Sequence, residues 1–123
     1  MKLRYARHTN NLVSLVQFYT KIIGLEVIGE FKDHDGYDGV FLGIIGKDWH
    51  LEFTSSNEKV LHQSDPDDLI VFYLKNEEEL KEKKEKAIEN GLLPQHSKNP
   101  YWNKRGVELK DPDGFGVILT LSN

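Results

Sequence analysis

The sequence predicts an α+β chain built from two tandem β-α-β-β-β modules, and three observations carry that expectation. Short segments alternate apolar and polar residues with the period of two that marks half-buried strands. Two longer segments follow helical spacing instead, one through Leu12, Leu15, Val16, Tyr19, Ile22 and Ile23, the other from Glu77 to Glu89. Each of these helices follows a strand and runs into Gly-Leu, at Gly24-Leu25 and at Gly91-Leu92, so the order of elements repeats about half a chain later.

In the first module, Leu3–His8 places Leu3, Tyr5 and Arg7 on one face and Arg4, Ala6 and His8 on the other. Asn10 and Asn11 are residue types that cap helices, and Gly24 is a stop signal. Leu25–Phe31 reads as a strand, and Asp33–Gly39 as an Asp- and Gly-rich tip. Val40–Ile45 reads as a well-buried strand, and Trp49–Thr54 as the strand after the Gly46-Lys47-Asp48 turn. The segment around Pro66 is polar and reads as a linker. In the second module Leu69–Lys75 is strand-like, and Asn76 with Glu79 three residues on forms a capping-box pattern. The helix carries Glu and Lys at i,i+4, the pattern of a solvated face. Leu92–Gln95, Arg105–Lys110 and Phe115–Leu121 complete the second set of strands, the last entered through Asp111-Pro112-Asp113-Gly114. The expected boundaries within the single domain 1–123 are module 1–55, linker 56–68 and module 69–123.

With 123 residues, 38% of them hydrophobic, the chain can form a core without covalent staples. Its 16 Lys+Arg against 20 Asp+Glu leave a net charge of -4, which argues against nucleic acid as a partner. No apolar run approaches the ~20 residues of a membrane helix, and no signal-peptide pattern precedes the first strand, so no membrane partner and a cytoplasmic location are expected. The absence of cysteine removes disulfides, thiolate metal sites and Cys nucleophiles.

Parity sorts the strand residues into two sets. Trp49, Leu51 and Phe53, or Phe115, Val117, Leu119 and Leu121, belong under the helices. The opposite set (Arg4, Ala6, His8, His50, Glu52, Leu69, Val71, Tyr73, Ile118, Thr120) mixes charge, hydroxyls and aliphatic surface. Such a mixture suits a concave small-molecule site better than a plain solvated face.

Four features together resemble the vicinal oxygen chelate superfamily, which includes glyoxalase I, extradiol dioxygenases and bleomycin-resistance-type binding proteins. They are the strand-cap-helix leading to Phe18-Tyr19 ahead of Gly24-Leu25, the strand His50-Leu51-Glu52-Phe53, the second strand-helix ending at Gly91, and the Asp111-Pro112-Asp113-Gly114 turn with its strand. Gly36-Tyr37-Asp38-Gly39-Val40 and Asn99-Pro100-Tyr101-Trp102 are similar to segments of the small bacterial glyoxalase-like proteins of the YycE type. The resemblance implies sheets wrapped around a central cup and a homodimer. It also implies a divalent metal held by up to four side chains. Carried over position by position, those four places hold Arg4, Glu52, Leu69 and Ile118. A guanidinium has no lone pair to give a metal, and Leu and Ile have no donor atom, so the expectation is a degenerate site and no metal cofactor. An off-pattern alternative is a divalent metal on His8, His50 and Glu52.

With the metal gone, Arg4 and Glu52 are expected to be neighbours, either as a structural pair or with Arg4 holding an anion and Glu52 acting as base. His50 is a candidate to assist Glu52 as acid. His8, Tyr37, Tyr73, Tyr101, Trp102 and Arg105 are candidate ligand-binding residues around the cup. The leading expectation is a metal-independent binding protein for a small anionic or aromatic molecule. The alternatives are a lyase, isomerase or dioxygenase-like enzyme with Glu52 as base, or a module that binds a protein partner.

Overall fold

The structure, a computed structural model, describes residues 1–122 and divides into two compact units, the first Met1–His62 and the second beginning at Gln63. The fold is α+β, with two modules of strands, each carrying its own helix. Among the described residues no helix is long and apolar enough to cross a membrane.

The first unit opens with β1 (Leu3–His8) and α1 (Leu12–Gln17), whose N-cap Asn11 accepts from the Ser14 N–H at 3.1 Å. The helix then widens into a π-helical segment, Phe18–Ile23, ending at Gly24 with φ 93°. Phe18, Tyr19, Ile22 and Ile23 all turn into the core from this segment. Strands β2 (Glu26–His34), β3 (Tyr37–Gly43) and β4 (Trp49–Ser55) follow, and the sheet runs β1-β4-β3-β2 with β1 parallel to β4. The tip expected over Asp33–Gly39 is largely strand. His34 pairs with Tyr37, leaving Asp35-Gly36 as a two-residue hairpin loop with φ 52° and 86°, the mirror-image turn that Asp-Gly favours.

The second unit contains β5 (Leu69–Leu74), α2 (Glu77–Glu89), a 3-10 turn at Pro100–Asn103, β6 (Gly106–Lys110) and β7 (Gly116–Leu121). Asn76 caps α2 through the Glu79 N–H, and Glu79 reaches back to the Lys75 N–H, each near 3 Å. The sheet order is β5-β7-β6. The strand expected at Leu92–Gln95 reduces to a single bridge between Gln95 and Glu108. Pro94 has no N–H to offer a ladder, and Leu93 stays in solvent, so neither hydrogen bonding nor burial extends the pairing. The polar segment after β4 begins as part of the first unit, because the Asn10 amide clasps the Val60 backbone from both sides and His62 Nε2 lies 2.8 Å from the His8 carbonyl oxygen.

Register aligns the two sheets row by row. On the face away from the first helix, the rows read Arg4–His50–Gly43, Ala6–Glu52–Phe41 and His8–Thr54–Gly39. The matching rows of the second sheet read Leu69–Gly116–Lys110, Val71–Ile118–Glu108 and Tyr73–Thr120–Gly106. The opposite faces are apolar, with Val40, Leu42, Leu51 and Phe53 buried in one sheet and Leu109, Val117 and Leu119 in the other. One cation breaks this pattern. Arg7 is buried on the core face with its guanidinium 5.1 Å from the centre of the Phe53 ring.

Phe53 is the core's centre in the first unit, fully buried and stacked on Tyr19 at 5.1 Å between ring centres. Phe53→Ala opens a cavity and strips Arg7 of its aromatic partner, so we expect a loss of about 3–5 kcal/mol in urea denaturation. A loss below ~1 kcal/mol would show that the pocket refills by collapse.

Candidate functional site

The side chains of highest chemical interest in the first unit meet on the open face of its sheet. The parallel pairing of β1 with β4 sets Arg4 beside His50 and Ala6 beside Glu52. Because Ala6 is short, the Arg4 side chain reaches diagonally to Glu52, with Nη1 3.8 Å from Oε1, as the sequence predicts. Its Nε–H donates to His50 Nε2 at 3.1 Å, and its guanidinium lies 4.8 Å from the centre of the Phe41 ring. Phe41 in turn meets His50 edge-on at 5.4 Å.

Glycines form the floor under these rings. A Cβ on Gly29 would stand 2.9 Å from the Phe41 ring, and one on Gly39 would run into Phe31. At Gly43 it would stand 3.1 Å from His50 Cβ. Each of these side chains therefore comes close to backbone that a larger residue would occupy. Beside them opens a cavity of about 440 Å³ whose lining includes Lys2, Arg4, Lys47, Phe41 and His50. It is a basic, aromatic recess.

The guanidinium decides the state of His50. Arginine is a donor only, so Nε2 must present its lone pair, and the ring is neutral with its proton on Nδ1. Burial lowers the His50 pKa from the usual histidine value, and the positive charges of Arg4 and Lys2 lower it further against the opposing pull of Glu52.

The metal set implied by the resemblance does not fit these residues. Arg4 and Ile118 supply no lone pair, Leu69 has no donor atom, and His50 spends its Nε2 lone pair on Arg4. The off-pattern trio fails as well. His8 lies four residues along β1 from Arg4, and its ring nitrogens are engaged by Thr54 Oγ1 at 2.8 Å and Ser56 Oγ at 3.0 Å. Among the described residues no group of three or more His, Asp or Glu side chains is placed to hold a metal ion.

The remaining candidates fall into two further groups. Tyr37 packs edge-on against His8 at 5.6 Å. In the second unit Tyr73, Tyr101, Trp102 and Arg105 line one cavity together with Thr120. The sequence reading missed Phe41, which was read only as part of a continuous apolar run. Alternation of Gly39, Phe41 and Gly43 against Val40 and Leu42 was the available signal. It also missed Glu108, buried on the open face of the second sheet, where Lys110 Nζ donates to Oε2 at 2.6 Å and Oε1 has no hydrogen-bond partner among the described residues.

The lowered His50 pKa has a signed consequence for stability. Folding keeps His50 neutral where the unfolded chain takes up a proton, so the folded state binds fewer protons below the ordinary histidine value of about 6.5. Stability contributed at His50 is therefore present above that pH and lost as pH falls below it. We expect the denaturation midpoint of the wild type to fall between pH 7.5 and 5.5 (roughly one unit either side of that value) more than that of His50→Gln. Equal slopes for the two proteins would contradict the assignment.

Comparison with known proteins agrees with this architecture. The YycE-like N-terminal domain family matches residues 3–54 and the YycE-like C-terminal domain family residues 67–121. The YycE protein of Bacillus subtilis strain 168 is 41% identical over 122 residues, covering 96% of this chain and 86% of that protein. A crystal structure of Bacillus subtilis YycE covers 99% of this chain and 90% of its own at 40% identity, with a TM-score of 0.87. Glyoxalase I from Leishmania major shares the fold at 20% identity, 98% and 86% coverage and a TM-score of 0.77. An antibiotic-binding protein from Streptomyces sp. CB03234 does so at 14% identity, 100% and 96% coverage and a TM-score of 0.73. The chain belongs to the YycE-like family, within the vicinal oxygen chelate superfamily of glyoxalase and fosfomycin-resistance proteins.

Proposed function

We propose that this chain binds a small anionic molecule at the Arg4–His50–Phe41 recess of its first module, without the divalent metal used by enzymes of the superfamily. The Arg4–His50 hydrogen bond supports the reading most directly. It places a permanent cation among the side chains and consumes a lone pair that a metal would need. Lys2 and Lys47 add positive charge at the same recess, while Phe41 gives it an apolar wall. A small acid with an apolar body matches both properties. The fold is shared with an antibiotic-binding protein, a precedent for sequestration on this scaffold.

Glu52 favours a second reading. Its side chain is 14% exposed beside a neutral imidazole, so it could serve as the base of a lyase, isomerase or dioxygenase-like reaction, with Arg4 holding the resulting oxyanion. In that case Glu52→Gln abolishes turnover of an identified substrate while the melting temperature stays within a few degrees.

Elemental analysis of protein purified without chelator tests the leading reading. We expect well under one equivalent of Zn, Ni, Mn or Fe per chain, and stoichiometric metal would overturn it. Thermal melting with methylphosphonate supplies the second arm, with a concentration-dependent rise in Tm. That rise should disappear in Arg4→Gln, and a rise that survives the substitution would move the anion elsewhere.

A further inference from the structure

The two helices cover their sheets unequally. In the first module the helical segment buries Leu15, Phe18, Tyr19, Ile22 and Ile23. Along α2 Ala87 alone is buried, while Leu80 is half-buried and Ile88 is 55% exposed. The shortfall shows on the strands below. By parity Val107 and Leu121 share the helix-side face with Leu109, Val117 and Leu119, yet they are half-buried where those three are fully buried. An aliphatic strip of the second module is therefore left partly open to solvent.

A groove of about 540 Å³ opens there, with Leu80, Val107 and Leu121 among its lining residues. Glu77, Leu80, Lys81 and Lys84 line it from α2 at i, i+3, i+4 and i+7, the spacing of one helix face. Lys104 and Arg105, at the entry to β6, line it from the strand side. Glu77 is the one acid among the described lining residues, against these four cations, in a chain whose net charge is -4. Lys84 is half-buried, so part of its aliphatic stem lies out of water. The groove is aliphatic at its base and cationic along both walls.

We propose that this groove, on the helix side of the second sheet, is a further binding site whose ligand is a soluble alkyl phosphate monoester. Cations on two walls suit a dianion better than a single carboxylate. No aromatic side chain lines the groove among the described residues, so a saturated chain fits the Leu80–Val107–Leu121 strip better than a flat ring. The volume falls within the range of small-molecule sites. Strand addition by a peptide is disfavoured, because Gln95 already pairs with Glu108 on β6 through backbone bonds of 2.8 and 2.9 Å. Lys104 and Arg105 also border the cavity beside Tyr73, so recognition particular to this groove rests on Lys81 and Lys84.

An amide NMR titration with hexyl phosphate tests the groove, with ethyl phosphate and phenyl phosphate as comparison probes. We expect saturable shifts at Leu80, Lys84, Val107 and Leu121. They should persist in Arg4→Gln, which removes the anion contact proposed for the first module. Affinity should rise about two-fold or more for each methylene added from ethyl to hexyl phosphate. Phenyl phosphate should bind several-fold more weakly than hexyl phosphate. Lys81→Gln combined with Lys84→Gln should weaken hexyl phosphate roughly five-fold or more, the effect of two exposed ion pairs, and Glu77→Gln should strengthen it. Opposite signs from substitutions on one helix face separate electrostatic recognition from a change in fold. Failure to saturate by roughly 10 mM, equal binding of hexyl phosphate and either comparison probe, or affinity unchanged in the double lysine variant would overturn the proposal. Association with phosphatidic-acid vesicles without saturable shifts from hexyl phosphate would overturn it in favour of a lipid headgroup. Shifts confined to the Arg4–Phe41 face would also overturn it, while leaving the first-module reading intact.

Discussion

The first module is organised by one chemical fact: a guanidinium has only donors, and it keeps its charge at any pH the protein meets. Once β1 lies parallel to β4 in the observed register, Arg4 must satisfy that fork with whatever stands beside it. It finds His50 Nε2, Glu52 and the face of Phe41. The consequences run outward from there. His50 is fixed as a neutral acceptor with its remaining N–H at Nδ1, and Glu52 is paired although it lies near a half-exposed cation. Phe41 carries positive charge on its face, and the recess acquires a positive sign. The pair itself contributes little to stability, because Arg4 is 53% exposed and solvent screens the attraction.

The row-by-row correspondence of the two sheets shows how one scaffold carries different chemistry. In the first row each module has a cation, a glycine and a third residue, but Arg4 stands on an edge strand while Lys110 stands on the strand at the other side of the centre. In the second row each has one carboxylate, Glu52 on the central strand and Glu108 on its neighbour, where the first module has Phe41. The glycines follow the bulky groups. Gly43 gives room to His50, and Gly116 gives room to the Glu108 carboxylate, which a Cβ at 116 would approach at 3.0 Å. Backbone pairing is indifferent to such exchanges so long as each row keeps a place for its largest member. The modules can therefore drift apart in chemistry while holding the same register.

Much of this was legible from the sequence because it depends on local rules. Parity within a strand placed Arg4, His50 and Glu52 on one face, and helix caps at Asn11 and Asn76 located both helices to within a residue. What escaped depends on partners far along the chain. Phe41 has its place in the site because Gly29 on the paired strand leaves room for its ring, a pairing that β3 alone cannot announce. Glu108 is set by its opposition to Ile118, and a lone Glu in a short strand gives no hint of burial. The failed strand at Leu92–Gln95 was predictable in retrospect from Pro94. The π-helical turn was not, since the same stripe of Phe18, Tyr19, Ile22 and Ile23 suits a regular helix nearly as well.

Exchanging a metal ion for a guanidinium changes what a site can do as well as what it holds. A divalent cation concentrates charge at a point, and its strong field acidifies a bound water or polarises a carbonyl. A guanidinium spreads one charge over a plane and bonds to two oxygens at once, so its strength is recognition of an acid already formed. Arg4 lies over the Phe41 ring, and both line the same recess. Under the reading proposed for the first module, the same exchange that removes Lewis-acid power makes affinity for preformed anions stronger. That shifts the balance of the site toward holding over transforming. Any chemistry left to it would have to run through Glu52, the carboxylate that stands beside Arg4.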